Sequence, residues 1–321
     1  MDVIEFMKER KYKYLFGPVP SRRLGQSLGV DLVPRKVCTL DCVYCESGQT
    51  TKKTVERKEY IRYDDITREL DDWFATNSDP DYLTFSGAGE PTLNSRIGDI
   101  IQHIKNRKPH LQVALITNGT LLSDPGLREE LMDVDLLLPS LDAATQEVFE
   151  KINRPAGGLT SEEYADGLVA FSREFTGEMW LEVFVLPRIN DHEQEIRAIR
   201  EVILKIGPDR IQVNTLDRPG TEENLVAATA EELEYFVKML DMDHVEIIAS
   251  PGENRKERHA NADIREAILS TISRRPCTAV DLGQSLGLPE DEINRYLEML
   301  KAENSVIPVR QERGLFYRLK N

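Results

Sequence analysis

The chain has 321 residues, of which 40% are apolar and 30% are charged, a composition typical of soluble globular proteins of one to three domains. It has no apolar run long enough for a transmembrane helix, and its first thirty residues are too charged for a signal peptide, so we expect a cytoplasmic protein. The net charge of −15 is concentrated between residues 59 and 262, which argues against broad binding to nucleic-acid phosphates.

Short apolar runs alternate with amphipathic stretches along most of the chain. The predicted strands cover 28–33, 82–87, 113–119, 136–142, 180–187, 210–216 and 244–250. The predicted helices cover 64–75, 97–107, 124–132, 161–175, 192–205 and 229–241. Near-continuously apolar strands are typical of parallel sheets covered on both faces, so the pattern predicts an α/β barrel or open sheet. Its active site would lie at the carboxyl ends of the strands.

A polar stretch containing Pro and Gly follows the last predicted strand. We interpret residues 250–262 as a linker between a domain at 1–249 and a smaller one at 263–321. The smaller segment has the pattern of a helix, a helix-turn-helix and a hairpin around "QERG". This order predicts a small α+β winged-helix domain.

The second helix of that predicted turn is acidic. Its sequence, "PEDEINRYLEMLKAE", carries five acidic and two basic side chains. Winged helices that bind DNA present a basic helix to the phosphates. We therefore expect a peptide or protein partner rather than DNA, and a purely structural role is the remaining alternative.

Three of the four cysteines lie within eight residues: Cys38, Cys42 and Cys45. In a reducing compartment such a group indicates a metal site rather than disulfides. A structural zinc would need a fourth ligand, from Cys277 or one of the five histidines. A 4Fe–4S cluster held by three thiolates would leave one iron open to a substrate or cofactor. Buried cysteines without any ligand role are the third alternative.

The spacing Cys38-x3-Cys42-x2-Cys45, with Tyr44 before the last cysteine, resembles the signature of the radical S-adenosylmethionine (SAM) superfamily. It follows the first predicted strand, as in that family. The resemblance implies a partial parallel (β/α)6 barrel, followed here by the winged helix.

Three further segments resemble the family in order and spacing. They are "SGAGEPTL" (86–93), "ITNGTLL" (116–122) and "PSLDA" (139–143), at the ends of the second, third and fourth predicted strands. The first has Gly-Ala-Gly-Glu where the family has Gly-Gly-Glu, which is a mild departure.

The resemblance implies a specific chemistry. The three cysteines would hold three irons of a 4Fe–4S cluster, and the amino and carboxylate groups of SAM would chelate the fourth. One electron, delivered by a reductant such as flavodoxin or ferredoxin, would cleave SAM to a 5′-deoxyadenosyl radical. The implied cofactor contacts are Tyr44, Gly87, Ala88, Gly89, Glu90, Asn118, Ser140 and Asp142. No further catalytic residue is identified.

Each of these contacts also has a simple structural interpretation. Residues 87–90 would face the ammonium of SAM, but Glu90 could instead end a strand. Ser140 and Asp142 would face the ribose or the methionyl group, but Asp142 could instead cap a helix. Asn118 could simply belong to a turn, so its role stays open.

Two further stretches, "FGPVPSRRLGQSLGVDLVP" and "QVNTLDRPG", resemble a subgroup similar to wybutosine-biosynthesis enzymes. That subgroup makes tRNA a candidate substrate beside a peptide or protein, although the barrel is acidic. Arg22, Arg23 and Arg218 are candidate substrate contacts, with solvation or internal pairing as the alternative. Glu182 lies within an apolar strand and needs a partner, and residues 190–192 are expected near SAM or the substrate.

A second class of function is a non-catalytic regulator. Its cluster would sense redox state or iron, and its winged helix would contact nucleic acid or a partner protein. Cofactor motifs after successive strands favour the enzyme, because a sensor does not need a SAM pocket.

The cysteine spacing gives a first prediction. Anaerobic reconstitution should yield about four iron and four sulfide per chain. Replacing Cys38, Cys42 or Cys45 with Ala should abolish cluster binding, whereas Cys277→Ala should leave it intact. A single zinc ion that survives reconstitution would contradict the cluster.

Overall fold

The computed structural model describes residues 12–21, 23–218, 220–222, 224–248 and 264–320. The first group of strands is β1 (Leu15–Ser21), β2 (Gly25–Val30), β3 (Val37–Cys38), β4 (Lys52–Lys53), β5 (Tyr82–Phe85), β6 (Gln112–Thr117), β7 (Leu136–Pro139), β8 (Glu178–Phe184), β9 (Arg210–Asn214) and β10 (Val245–Ile247). The helices among them are α1 (Tyr63–Thr76), α2 (Ile97–Arg107), α3 (Pro125–Glu130), α4 (Gln146–Ile152), α5 (Ser161–Glu174), α6 (Glu193–Ile206) and α7 (Ala230–Leu240).

Eight of these strands form one sheet in the order β1-β2-β5-β6-β7-β8-β9-β10. All neighbours from β2 to β10 are parallel, and β1 is antiparallel to β2 at the edge. The predicted α/β fold with a mostly parallel sheet is therefore confirmed. Because consecutive parallel strands are joined by helical crossovers, their carboxyl ends all lie along one edge of the sheet.

The helices cover one face of this sheet. Leu83, Leu115 and Leu181 from the strands share a hydrophobic core with Ile100 and Ile196 from the helices. Side chains alternate between the two faces of a strand, so the neighbours of these leucines point to the opposite, inner face.

The inner face carries a separate, smaller apolar cluster. Leu24, from the turn between β1 and β2, packs there against Ala114, Leu136 and Leu138. That turn precedes β2, so Leu24 covers the inner face at the amino ends of the parallel strands.

Several predicted strands end two or three residues too late. The strands predicted at 82–87 and 136–142 end at Phe85 and Pro139. The small polar residues that follow belong to loops. This difference places the candidate cofactor residues just beyond the carboxyl ends of the strands.

The C-terminal part begins after the predicted linker, which lies outside the described residues. It contains α8 (Ile264–Arg274), β11 (Cys277–Thr278), α9 (Ala279–Leu286), α10 (Glu290–Ala302), β12 (Val306–Gln311) and β13 (Gly314–Leu319). The strands form an antiparallel sheet in the order β11-β13-β12, and Ile268, Leu297 and Val306 belong to a core separate from that of the large sheet. Cys277 is buried in this core, as expected for a thiol that acts as a small apolar group.

A buried ionic junction fastens the C-terminal part to the large sheet. Arg218 donates hydrogen bonds to the Pro276 carbonyl at 2.6 Å and to Asp281 at 2.9 Å. Arg313 pairs with Asp281 at 2.8 Å and with Asp217 at 2.7 Å. Arg218 is buried here rather than exposed as a substrate contact. Burial opposes ionisation of Asp281, but the arginines outweigh it and lower its pKa below the usual range.

A second contact lies beside the cysteine loop. Arg274, at the end of α8, donates to Asp31 at 2.7 Å and lies over the ring of Phe16. Its carbonyl accepts a hydrogen bond from the Ser47 hydroxyl at 3.2 Å. The C-terminal part therefore contacts the segment that directly follows Cys45.

None of the helices in the described part of the chain combines the length and hydropathy that a bilayer crossing requires.

The junction gives a second prediction. Asp281→Ala should lower the free energy of unfolding by about 3–5 kcal/mol, because Arg218 and Arg313 would both lose an ion pair and the buried Arg218 would keep only Glu46, 3.5 Å away. Asp291→Ala is the matched control, since Asp291 also lies in the first turn of a helix but is exposed. Denaturant unfolding followed by circular dichroism measures the difference. Equal losses in the two variants would show that the junction contributes nothing.

Candidate functional site

The cysteine loop is joined to residues 86–90 by two backbone hydrogen bonds. The Lys36 amide donates to the Ala88 carbonyl at 2.6 Å, and the Glu90 amide donates to the Val37 carbonyl at 3.0 Å. A Cβ on Gly89 would lie 2.3 Å from that Val37 oxygen. Only glycine at position 89 therefore permits this close approach.

Gly87 is required for a related reason. Its φ is +133°, and a Cβ there would lie 2.2 Å from a carboxylate oxygen of Asp31. The segment beside the cysteines thus depends on two glycines. The resemblance to the Gly-rich family motif has a physical basis in this packing.

Glu90 is buried, and both oxygens of its carboxylate accept hydrogen bonds. Its carboxylate accepts hydrogen bonds from the Thr92 amide at 3.0 Å, the Thr117 hydroxyl at 2.7 Å and the Asn118 amide at 2.8 Å. Burial raises the pKa of Glu90, and these hydrogen bonds partly offset the effect. The carboxylate joins the ends of two strands, and its contact with SAM stays a prediction.

Each of the three sulfurs in the cysteine loop accepts a hydrogen bond from a side-chain nitrogen. The pairs are Asn118 Nδ2 to Cys38 at 3.5 Å, Asn153 Nδ2 to Cys42 at 3.4 Å, and Lys36 Nζ to Cys45 at 3.1 Å. Such donors stabilise negative charge on cluster sulfurs. Lys36 and Asn153 were not predicted from the sequence.

The thiols of Cys38 and Cys42 are hard to ionise without a metal. Burial raises the pKa of Cys38 to about 12, and the charge of Glu90 adds to this effect. Burial also raises the pKa of Cys42 well above its usual range, with a further contribution from Asp142. A cationic metal centre would therefore have to release these protons on binding.

The three thiols do not converge as ligands of a single ion. Within the described ranges, no group of three His, Cys, Asp or Glu side chains is arranged to hold one metal ion. A 4Fe–4S cluster places each thiolate on a different iron, so its thiols need not share a centre. Three thiolates are a donor set that fits a 4Fe–4S cluster with one iron left open.

Tyr44 packs against the end of β8. Its ring stacks on Phe184 with centroids 4.0 Å apart, and its hydroxyl donates to Asp142. Asp142 also accepts from Asn153 Nδ2 at 2.9 Å and from the Phe184 amide at 3.0 Å. Burial raises the pKa of Asp142 to about 6.

These contacts give Asp142 a positioning role. The alternative that it caps a helix is wrong, because α4 begins at Gln146 and its N-cap is Thr145. A direct contact between Asp142 and SAM stays a prediction, since its carboxylate already accepts three donors.

Ser140 and Asn118 differ in their availability. The Ser140 amide donates to the Thr117 carbonyl, but among the described residues its hydroxyl has no protein partner. Asn118 Nδ2 donates to Thr39 at 2.8 Å as well as to Cys38. The Ser140 hydroxyl is therefore the more available group for a ligand.

Glu182 has the partner that its apolar strand requires. Arg23 donates to Glu182 at 2.7 Å and to Gln212 at 3.1 Å. Arg22 lies outside the described residues. Asn190 is buried and donates to the backbone carbonyls of Asp142 and Phe184. It therefore fixes the backbone that carries these two residues.

Comparison with known proteins agrees with this geometry. Residues 32–198 match the model of the radical SAM superfamily. A protein named GTPase Obg from Brachyspira hyodysenteriae is 35% identical over 92% of this chain, which spans only 44% of that relative. A UPF0026 protein from Methanocaldococcus jannaschii is 29% identical over 95% of both chains. A radical SAM methyltransferase structure from Sphaerobacter thermophilus superimposes with a TM-score of 0.53, at 14% identity, and covers 70% of this chain and 67% of that one.

The chain belongs to the radical SAM superfamily. Within it, the chain is similar along nearly its whole length to a UPF0026 protein. Members of this superfamily are enzymes that catalyse radical-based reactions with a 4Fe–4S cluster and SAM. The predictions of an enzyme and of these two cofactors are thereby confirmed.

The close packing of Gly89 gives a third prediction. Gly89→Ala should destabilise the protein by about 1–3 kcal/mol, because the Val37 carbonyl must move away from the new Cβ. The iron retained after reconstitution should fall as well. Gly157→Ala is the control, since no atom lies within 4 Å of a Cβ there. An unchanged stability and iron content in Gly89→Ala would contradict this account of the loop.

Proposed function

We propose that the chain reductively cleaves SAM with a 4Fe–4S cluster held by Cys38, Cys42 and Cys45. One observation carries this proposal: three thiols, each paired with a side-chain N–H donor, lie beside a glycine segment at the carboxyl ends of parallel strands. Active sites of such folds gather at this edge. When bound, the cluster supplies the electron that cleaves SAM to a 5′-deoxyadenosyl radical.

The chain's own residues prepare the site for this chemistry. Asn118, Asn153 and Lys36 donate to the sulfurs and stabilise their negative charge. In this proposal the Ser140 hydroxyl binds a polar group of SAM, and its lack of a protein partner among the described residues supports that role. The stacking of Tyr44 on Phe184 and the hydrogen bond from Tyr44 to Asp142 fix the backbone beside Cys45.

We further propose that the large sheet is a partial (β/α)6 barrel spanning residues 1–249, and that residues 263–321 form a winged helix. The order of helices and the three-stranded antiparallel sheet support the second assignment. Glu290, Asp291 and Glu292 lie in the first turn of α10, which argues against DNA as its partner.

We propose a peptide or protein as the substrate class, because the acidic first turn of α10 and the acidic chain as a whole disfavour a polyanionic substrate. A tRNA, the substrate of the wybutosine-type subgroup, would have to approach an acidic chain with a net charge of −15. A flavodoxin- or ferredoxin-type protein is the proposed electron donor.

The Ser140 hydroxyl gives a fourth prediction. Ser140→Ala should weaken SAM binding by about 0.5–1.5 kcal/mol, or roughly 2- to 13-fold, through loss of one neutral hydrogen bond. Iron content should not change. Ser172→Ala on α5 is the matched control, since its hydroxyl bonds only within the helix. Glu90→Ala should weaken binding too, but it also removes the bonds between two strand ends.

The assay is formation of 5′-deoxyadenosine after reduction with dithionite, with iron counted in the same samples. Cys42→Ala provides the background. Protein that carries a full cluster and binds SAM, yet forms no deoxyadenosine above this background, would contradict the proposed cleavage.

A further inference from the structure

Lys36 is held in an unusual backbone conformation. Its φ is +62°, a left-handed region that glycine enters freely and lysine does not. Its amide donates to Ala88, and its carbonyl accepts from the amides of Thr51 and Lys52. Backbone strain of this kind persists where the surrounding structure fixes it, and it points to a use for the side chain.

The Lys36 ammonium is buried against a single sulfur. The residue is 5% exposed, and Nζ lies 3.1 Å from Cys45 Sγ. Across the described ranges, no carboxylate lies within 4 Å of Nζ. A buried ammonium without a counter-ion is costly, and a cluster-bound thiolate of Cys45 would supply the negative charge beside it.

The three sulfurs therefore have unequal surroundings. Cys38 and Cys42 accept from the neutral amides of Asn118 and Asn153, whereas Cys45 accepts from a cation. Both exposed lysines of β4 have other partners: Lys52 lies over the Tyr60 ring, and Lys53 donates to the Arg154 carbonyl. In the described part of the chain, Lys36 is the one cationic side chain that donates a hydrogen bond to the Cys45 sulfur.

We propose that Lys36 is a positioning residue that holds a positive charge against the Cys45 corner of the cluster and raises its reduction potential. Reduction adds one negative charge to the cluster, and a fixed cation in a poorly solvated site stabilises the reduced form more than the oxidised form. The effect makes the cluster easier to reduce. This inference rests on the proposed cluster and goes beyond the ligand set.

The test is a redox titration of the reconstituted cluster by electron paramagnetic resonance, without SAM. Lys36→Met should shift the potential to more negative values. At a fixed potential the ratio of reduced to oxidised cluster should fall at least tenfold, which corresponds to about 59 mV for one electron. Lys36→Arg keeps the charge and should stay close to the parent protein. Lys53→Met, the control, removes the same charge without touching a sulfur and should have no effect.

Iron content is measured for every variant so that loss of the cluster is not mistaken for a change in its reduction potential. Should Lys36→Met fail to assemble a cluster, Lys36→Gln takes its place and the same shift is expected, because its amide can donate but carries no charge.

Equal potentials in the neutral variants and the parent protein would overturn the inference, as would an equal shift in Lys53→Met. Either result would leave the proposed cleavage of SAM intact. A shifted potential in a protein that forms no deoxyadenosine would contradict the proposed function alone. Failure of the parent protein to assemble any 4Fe–4S cluster would overturn both.

Discussion

The site depends on the backbone pairing between the cysteine loop and the glycine segment after β5. The hydrogen bonds from Lys36 to Ala88 and from Glu90 to Val37 place the cysteines beside the carboxyl ends of the parallel strands. Gly89 allows this approach because it has no side chain to meet the Val37 carbonyl. The same pairing fixes the conformation of Lys36, so cluster binding and the environment of Cys45 have one structural origin.

The sequence predicted the parallel strands well, because a strand covered on both faces must be apolar wherever it lies in the chain. Strand ends were less accurate, since the polar residues after Phe85 and Pro139 do not distinguish a last strand residue from a first loop residue. Strand β1 was missed because "LFGPVPS" contains two prolines, which a sheet accepts at an edge.

The cysteines and the glycine segment were predictable because their spacing is local. The donors to the sulfurs were not all predictable, because they are set by tertiary packing. Asn153 is 111 residues from Cys42, and nothing in "INRPAG" marks it as a partner. The role of the buried Arg218 was also ambiguous, since its counter-ions, Asp281 and Glu46, lie far from it in sequence. Long-range pairs between polar side chains leave no periodic signal in a single sequence.

The turn between β1 and β2 affects how a ligand could reach the inner face of the sheet. Leu24 covers the inner face of the sheet at the amino ends of the strands, and Arg23 reaches Glu182 and Gln212 from the same turn. With the amino ends covered by these described residues, a ligand of the proposed enzyme would reach the inner face from the opposite rim, where the cysteines lie. Substrate and SAM would share that rim, so their order of arrival and departure becomes a kinetic property of the enzyme.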